Sequence, residues 1–89
     1  MEISVQKLSR QDLVNRGIYN WPIWEKEVSR FAWSYSRTEE CYILEGEVTI
    51  ETPDGREVSF GKDDFVTFPS GLSCTWIVKK PVKKHYNFK

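Results

Sequence analysis

Few side chains in this sequence have both the type and the spacing to do chemistry. Glu39 and Cys41 stand two residues apart, so on an extended strand both project to one face. Cys74 and Trp76 repeat that spacing, as do Lys84 and Tyr86, and Trp33 and Tyr35. A carboxylate held against aromatic rings is a candidate general acid or base, because burial disfavours its charged form. A lysine drawn inside a fold is a candidate anion ligand or base. A thiol is a candidate nucleophile or soft-metal ligand. Each group also has a plainer reading: Glu39 as a rim carboxylate paired with a base, Cys41 and Cys74 as small apolar fillers, and the rings as core.

The sequence offers little for a metal centre. His85 is the single histidine, and the two cysteines lack the C-x-x-C spacing of zinc sites. Along Val82–Phe88, Lys84 shares the parity of Val82, Tyr86 and Phe88. That side is expected inside and His85 outside. Glu39 and Lys84 could then pair with each other.

These residues need strands to present them. Phe31, Trp33 and Tyr35 alternate with Ala32, Ser34 and Ser36, which gives one aromatic, inward-facing side from Val28 onward. Cys41 to Glu51 reads as a strand interrupted at Glu45-Gly46, and Pro53-Asp54-Gly55 as the turn to a return strand, Glu57 to Phe60. Gly61 to Asp64 is expected to turn, Phe65 to Phe68 to be a strand, and Pro69-Ser70-Gly71 to turn again. Cys74 to Val78 and Val82 to Phe88 are expected as two further strands. Near the N-terminus, residues 3–8 alternate as a half-buried strand. One short helix follows, capped by Ser9 and stopped at Gly17. Trp21-Pro22-Ile23-Trp24-Glu25 cannot be a central strand, since Pro22 lacks a ladder donor, and is expected as an edge segment packed over the rest. Many short strands with turns every eight to twelve residues predict an all-β sandwich or closed barrel.

Eighty-nine residues with no linker-like stretch predict a single domain, 1–89. Thirteen aromatic residues offset the small size of the core. Thirteen basic and thirteen acidic residues argue against a nucleic-acid or membrane-surface partner recognised by bulk charge. The basic run Lys79, Lys80, Lys83, Lys84 and Lys89 is expected to be a solvated or cross-strand-paired basic strand, with an anion-binding face as the other reading. The absence of a long apolar run and the two cysteines, read as thiols, point to a cytoplasmic protein.

Two blocks choose between sandwich and barrel. Glu39-Glu40-Cys41-Tyr42-Ile43-Leu44-Glu45-Gly46 and Asp63-x-Phe65-Val66-x-Phe68-Pro69-x-Gly71 resemble the two motifs of the cupin superfamily. The chain is most similar to small single-domain cupins of unknown function grouped with the cupin domain of (S)-ureidoglycine aminohydrolase. The resemblance implies a double-stranded β-helix (jelly-roll barrel), an inward-facing site and a homodimer. Where cupins carry their first two metal-binding histidines this chain has Trp33 and Tyr35, or Ala32 and Ser34 with a gap one residue longer. Cys74 stands at the third histidine, and of the usual ligands only Glu39 is kept.

The expectation is therefore a barrel with no cofactor, a divalent metal being the alternative left open. Its site would hold Glu39, Cys74 and Lys84 as catalytic groups, lined by Trp33, Tyr35, Cys41, Trp76 and Tyr86, with a small molecule as partner. The other readings are a metal enzyme using Glu39 and Cys74, and a non-catalytic interaction module built on Trp21 and Trp24.

Overall fold

Two long antiparallel strands form the frame of the computed structural model, which describes residues 2–89. In chain order the elements are β1 (Ser4–Lys7), α1 (Arg10–Asn15), β2 (Ile23–Lys26), β3 (Ser29–Ser34), β4 (Glu39–Glu51), β5 (Glu57–Gly61), β6 (Asp64–Phe68) and β7 (Ser73–Phe88). β4 and β7 pair along almost their whole lengths, from Glu39 opposite Phe88 to Glu51 opposite Thr75. The first half of β4 also pairs with β6, which pairs with β1, and the second half pairs with β5. β7 pairs with β3 through its first half and with β2 through its second. Both long strands thus run through both halves of one seven-stranded antiparallel sheet that curls on itself, the arrangement of a cupin jelly-roll barrel.

The fold closes where the long strands bend. Register shifts fall between Ile43 and Val48, around Gly46, which has φ +106°. A β-carbon on Gly46 would lie 2.5 Å from the Pro81 carbonyl oxygen and 2.7 Å from the Val82 α-carbon. Only glycine permits this approach. The bulge also reverses side-chain parity: Glu39, Cys41 and Ile43 are buried before it, Val48 and Ile50 after it.

The same bulge accounts for one sequence expectation and corrects another. The interruption expected at Glu45-Gly46 is a bend within one strand that begins at Glu39. The two strands expected at Cys74–Val78 and Val82–Phe88 are one, because Pro81 sits in the irregular stretch facing Gly46, where the lost ladder donor matters least. The expected turn at Gly61–Asp64 shrinks to Lys62-Asp63, with Asp63 at φ +74° and its N–H donating to the Ile43 carbonyl at 2.8 Å. The first strand is also shorter than residues 3–8.

Side chains inside the barrel form the main core, including Tyr35, Cys41, Ile43, Val48, Ile50, Phe68, Trp76 and Val82. A second core lies on the outer face, where Leu13 and Ile18 from the N-terminal segment cover Tyr42 and Phe65. Ser9 caps α1 by accepting from the Asp12 N–H at 3.1 Å, and Gly17 (φ +68°) turns the chain into the short 3-10 turn Ile18–Asn20. β2 is an edge strand, as Pro22 requires. Its Trp24 packs on the main core and Trp21 on the outer one. The C-terminal lysines do pair across strands: Lys80 reaches Glu47 at 3.7 Å and Lys89 reaches Glu40 at 3.3 Å.

Candidate functional site

At one end the barrel opens into a cleft of about 240 Å³ with two charged side chains in its lining. Glu39, first residue of β4, and Lys84, on the second half of β7, both face inward by strand parity. Lys84 is opposite Ile43 rather than Glu39, so its chain runs along the interior towards the mouth. There Nζ lies 3.0 Å from Glu39 Oε2, and each side chain is 5% exposed. Two tryptophan faces also approach the ammonium, with Nζ 4.6 Å from the Trp76 ring centroid and 4.9 Å from that of Trp24. The walls are aromatic. Phe31 stacks on Trp76 with centroids 6.0 Å apart, and Trp33, Tyr35, Tyr86 and Phe88 complete the lining.

Tyr35 crosses the interior and is 3% exposed. Its hydroxyl oxygen accepts from Trp76 Nε1–H at 3.1 Å, and its ring stacks on Phe68. Burial, reinforced by the nearby Glu39 charge, raises the phenol far above the usual tyrosine range. It therefore stays protonated. Cys41 lies deeper, fully buried. Burial pushes its thiol up to about 12, with Glu39 acting in the same direction and Lys84 against it. Cys41 therefore stays a protonated thiol of the core near neutral pH.

Two expected site residues, Cys41 and Cys74, are not part of the cleft lining. Cys74 has the inward parity but lies outside the cleft, beside a hollow near the β4–β5 turn with Glu51, Thr52 and Thr75. Its thiol is also held protonated by burial, with a lesser contribution from Glu39. Trp33 has the expected parity yet is 50% exposed, because β3 is an edge strand and Trp33 stands near its free end, at the rim. Trp76 is buried and Tyr86 half-buried in the lining.

His85 faces outward, as its parity requires, but is buried beneath the N-terminal segment. Nδ1 lies 2.9 Å from the Trp21 carbonyl oxygen, which can only accept, so Nδ1 carries the proton. Trp24, Phe31 and Phe88 also line the cleft. Phe31 was legible as part of the aromatic stripe with Trp33 and Tyr35. Trp24 was not, since Pro22 masks the short strand that turns it inward.

The donor set does not fit the divalent metal that cupins commonly hold. Among the described residues, no three His, Cys, Asp or Glu side chains come together. Glu39 is engaged by an ammonium at the place where a cation would bind, and both cysteines are held as thiols. Structural and catalytic metal sites need three or four donors.

Comparison with known proteins agrees with the cupin fold. The family model described as "EutQ-like cupin domain" matches residues 15–86. A DUF861 family protein from Thermotoga maritima, of known crystal structure, is 49% identical, with a TM-score of 0.97 over 99% of this chain and 100% of its own. The EutQ protein of Clostridium difficile is 24% identical, with a TM-score of 0.68 over 74% of this chain and 52% of its own. A DUF861 family protein from Pseudomonas syringae pv. tomato is 20% identical, with a TM-score of 0.68 over 75% of this chain and 29% of its own. The latter two likenesses speak to fold alone. A search of curated proteins gives no match.

Proposed function

The chain belongs to the EutQ-like cupin domain family, and from that premise we propose that it binds a small organic molecule in the mouth of its barrel without a metal. The observation that carries this reading is the aromatic cleft with the buried Lys84–Glu39 pair in its wall. Apolar walls with a few convergent polar groups are the usual make-up of a ligand pocket. The pair also puts a proton donor and a carboxylate 3.0 Å apart, the equipment for acid–base work on a bound molecule. In this reading Glu39 and Lys84 act on the ligand, Trp33, Tyr35, Trp76 and Tyr86 hold it, and Cys41 and Cys74 pack the barrel.

A metal-dependent reaction of the ureidoglycine aminohydrolase kind is disfavoured, since Glu39 and Cys74 do not share the cleft. An interaction module built on Trp21 and Trp24 is disfavoured too, as both pack on the cores. The proposal includes a cytoplasmic location, in keeping with two free thiols, and a homodimer in keeping with the small core.

The test is a thermal-shift screen with small carboxylates, amides and sugars, followed by calorimetric titration. Saturable binding that is lost on mutating Lys84 supports the reading. No binding by any class overturns it. Metal analysis of protein purified without added metal checks the alternative: stoichiometric metal that depends on Glu39 would favour a metal enzyme.

A further inference from the structure

The polar groups of the mouth restrict what kind of molecule fits. Lys84 and Glu39 are oppositely charged, 3.0 Å apart and nearly closed off from water, so the site is balanced before anything binds. A carboxylate drawn to Lys84 meets Glu39, and an ammonium drawn to Glu39 meets Lys84. Either would leave one charge uncompensated in an apolar cleft. A neutral molecule avoids that penalty.

The pair is nevertheless rich in hydrogen-bonding capacity. Glu39 Oε2 takes one of the three N–H groups of Lys84, and the tryptophan faces attract the charge without accepting conventional hydrogen bonds. No described group hydrogen-bonds Glu39 Oε1, which remains an acceptor. Tyr35 is the third element. Its oxygen is occupied as an acceptor by Trp76, its proton has no acceptor among the described residues, and its side chain is buried in the cleft wall. The site thus presents two donors, Lys84 and Tyr35, together with the acceptor Glu39. The walls are flat rings.

We propose that the mouth binds a neutral planar heterocycle through a cyclic amide or imide edge. The ring N–H donates to Glu39, the flanking carbonyl or carbonyls accept from Lys84 and Tyr35, and the ring lies against the aromatic walls. This rests on the small-molecule reading above and specifies its ligand class.

The probes are uracil, which carries an imide N–H between two carbonyls, and 1,3-dimethyluracil, which keeps the ring and both carbonyls but has no N–H. Benzoate and benzylammonium represent flat ligands of either charge. Binding to the whole chain is followed by titration calorimetry and by tryptophan fluorescence, since Trp24 and Trp76 stand in the wall.

Uracil is expected to bind one per chain. The dimethyl compound should bind about tenfold more weakly or worse, as expected for losing a hydrogen bond to a charged acceptor. Glu39→Gln should erase the preference for uracil over its dimethyl form, and Tyr35→Phe should weaken uracil while leaving the dimethyl–uracil order intact. The key comparison uses the unaltered protein, so a variant that fails to fold does not block it. Equal binding of the two uracils, or tighter binding of benzoate or benzylammonium, overturns this inference while the small-molecule reading stands. If no ligand of any class binds, both fall.

Discussion

Lys84 Nζ lies 3.0 Å from Glu39 Oε2, yet the two residues do not face each other across the ladder: Lys84 is opposite Ile43, and Glu39 is opposite Phe88. The pair exists because a long side chain travels along the barrel interior between two tryptophan faces. It therefore ties both long strands, and β2 through Trp24, to a single charge contact.

Breaking that contact from one side leaves an uncompensated charge in a site only 5% exposed. Lys84→Met or Glu39→Leu alone is expected to destabilise by about 3–5 kcal/mol, and the two substitutions together to recover most of the loss. Urea unfolding of the four proteins of a double-mutant cycle measures this. Additive single losses would show that the pair is not coupled.

Gly46 and Gly55 separate steric from conformational need. Both have positive φ, +106° and +85°, but a β-carbon at Gly55 meets nothing within 4 Å. Gly55→Ala is expected to cost about 1–2 kcal/mol from backbone conformation alone. Gly46→Ala also collides with the backbone at Pro81, and should cost clearly more or prevent folding. Equal effects would mean the bend relaxes readily.

Cys41 makes the fold sensitive to alkali. Burial raises its thiol from 9.0 to about 12, and Tyr35 is shifted in the same direction. The folded state then holds protons the unfolded chain has released. The stabilisation is complete below pH 9, and is lost as pH rises towards 12. Urea unfolding from about pH 8 to about pH 11 should show stability falling, by up to about 1.4 kcal/mol per pH unit for each such group. Cys41→Val should flatten part of the slope. The thiol should also resist alkylation until the protein unfolds.

Tyr35→Phe removes the acceptor of a buried indole N–H. A loss of about 1–3 kcal/mol is expected in thermal or urea unfolding. A neutral result would mean that water reaches Trp76 Nε1 when the hydroxyl is gone.

Trp33 tests the rim. Half-exposed at the open end of β3, its replacement by alanine should change stability by no more than about 0.5 kcal/mol. Ligand affinity should nevertheless fall severalfold. A large stability loss would make Trp33 a core residue instead.

Much of this structure follows from local pattern. Alternation along residues 31–35 and 82–88 put Tyr35 and Lys84 inside and His85 outside, and the glycine and proline positions marked the turns, because strand parity and backbone freedom are properties of short segments. The two motifs added the barrel through resemblance. What local pattern could not supply was the bend at Gly46 and Pro81. It joins two apparent strands into one and reverses inward parity within β4, and it depends on a contact between segments some 35 residues apart in sequence, an order of separation no local window senses. Exposure at the mouth was equally out of reach. Trp33 and Trp76 share an inward face, but only the position of β3 at the sheet edge leaves one half in solvent and the other buried. Away from that bend, local alternation settles which side chains turn inward. Tertiary structure decided which of them meet, because the Lys84–Glu39 contact depends on side-chain reach across two curved strands.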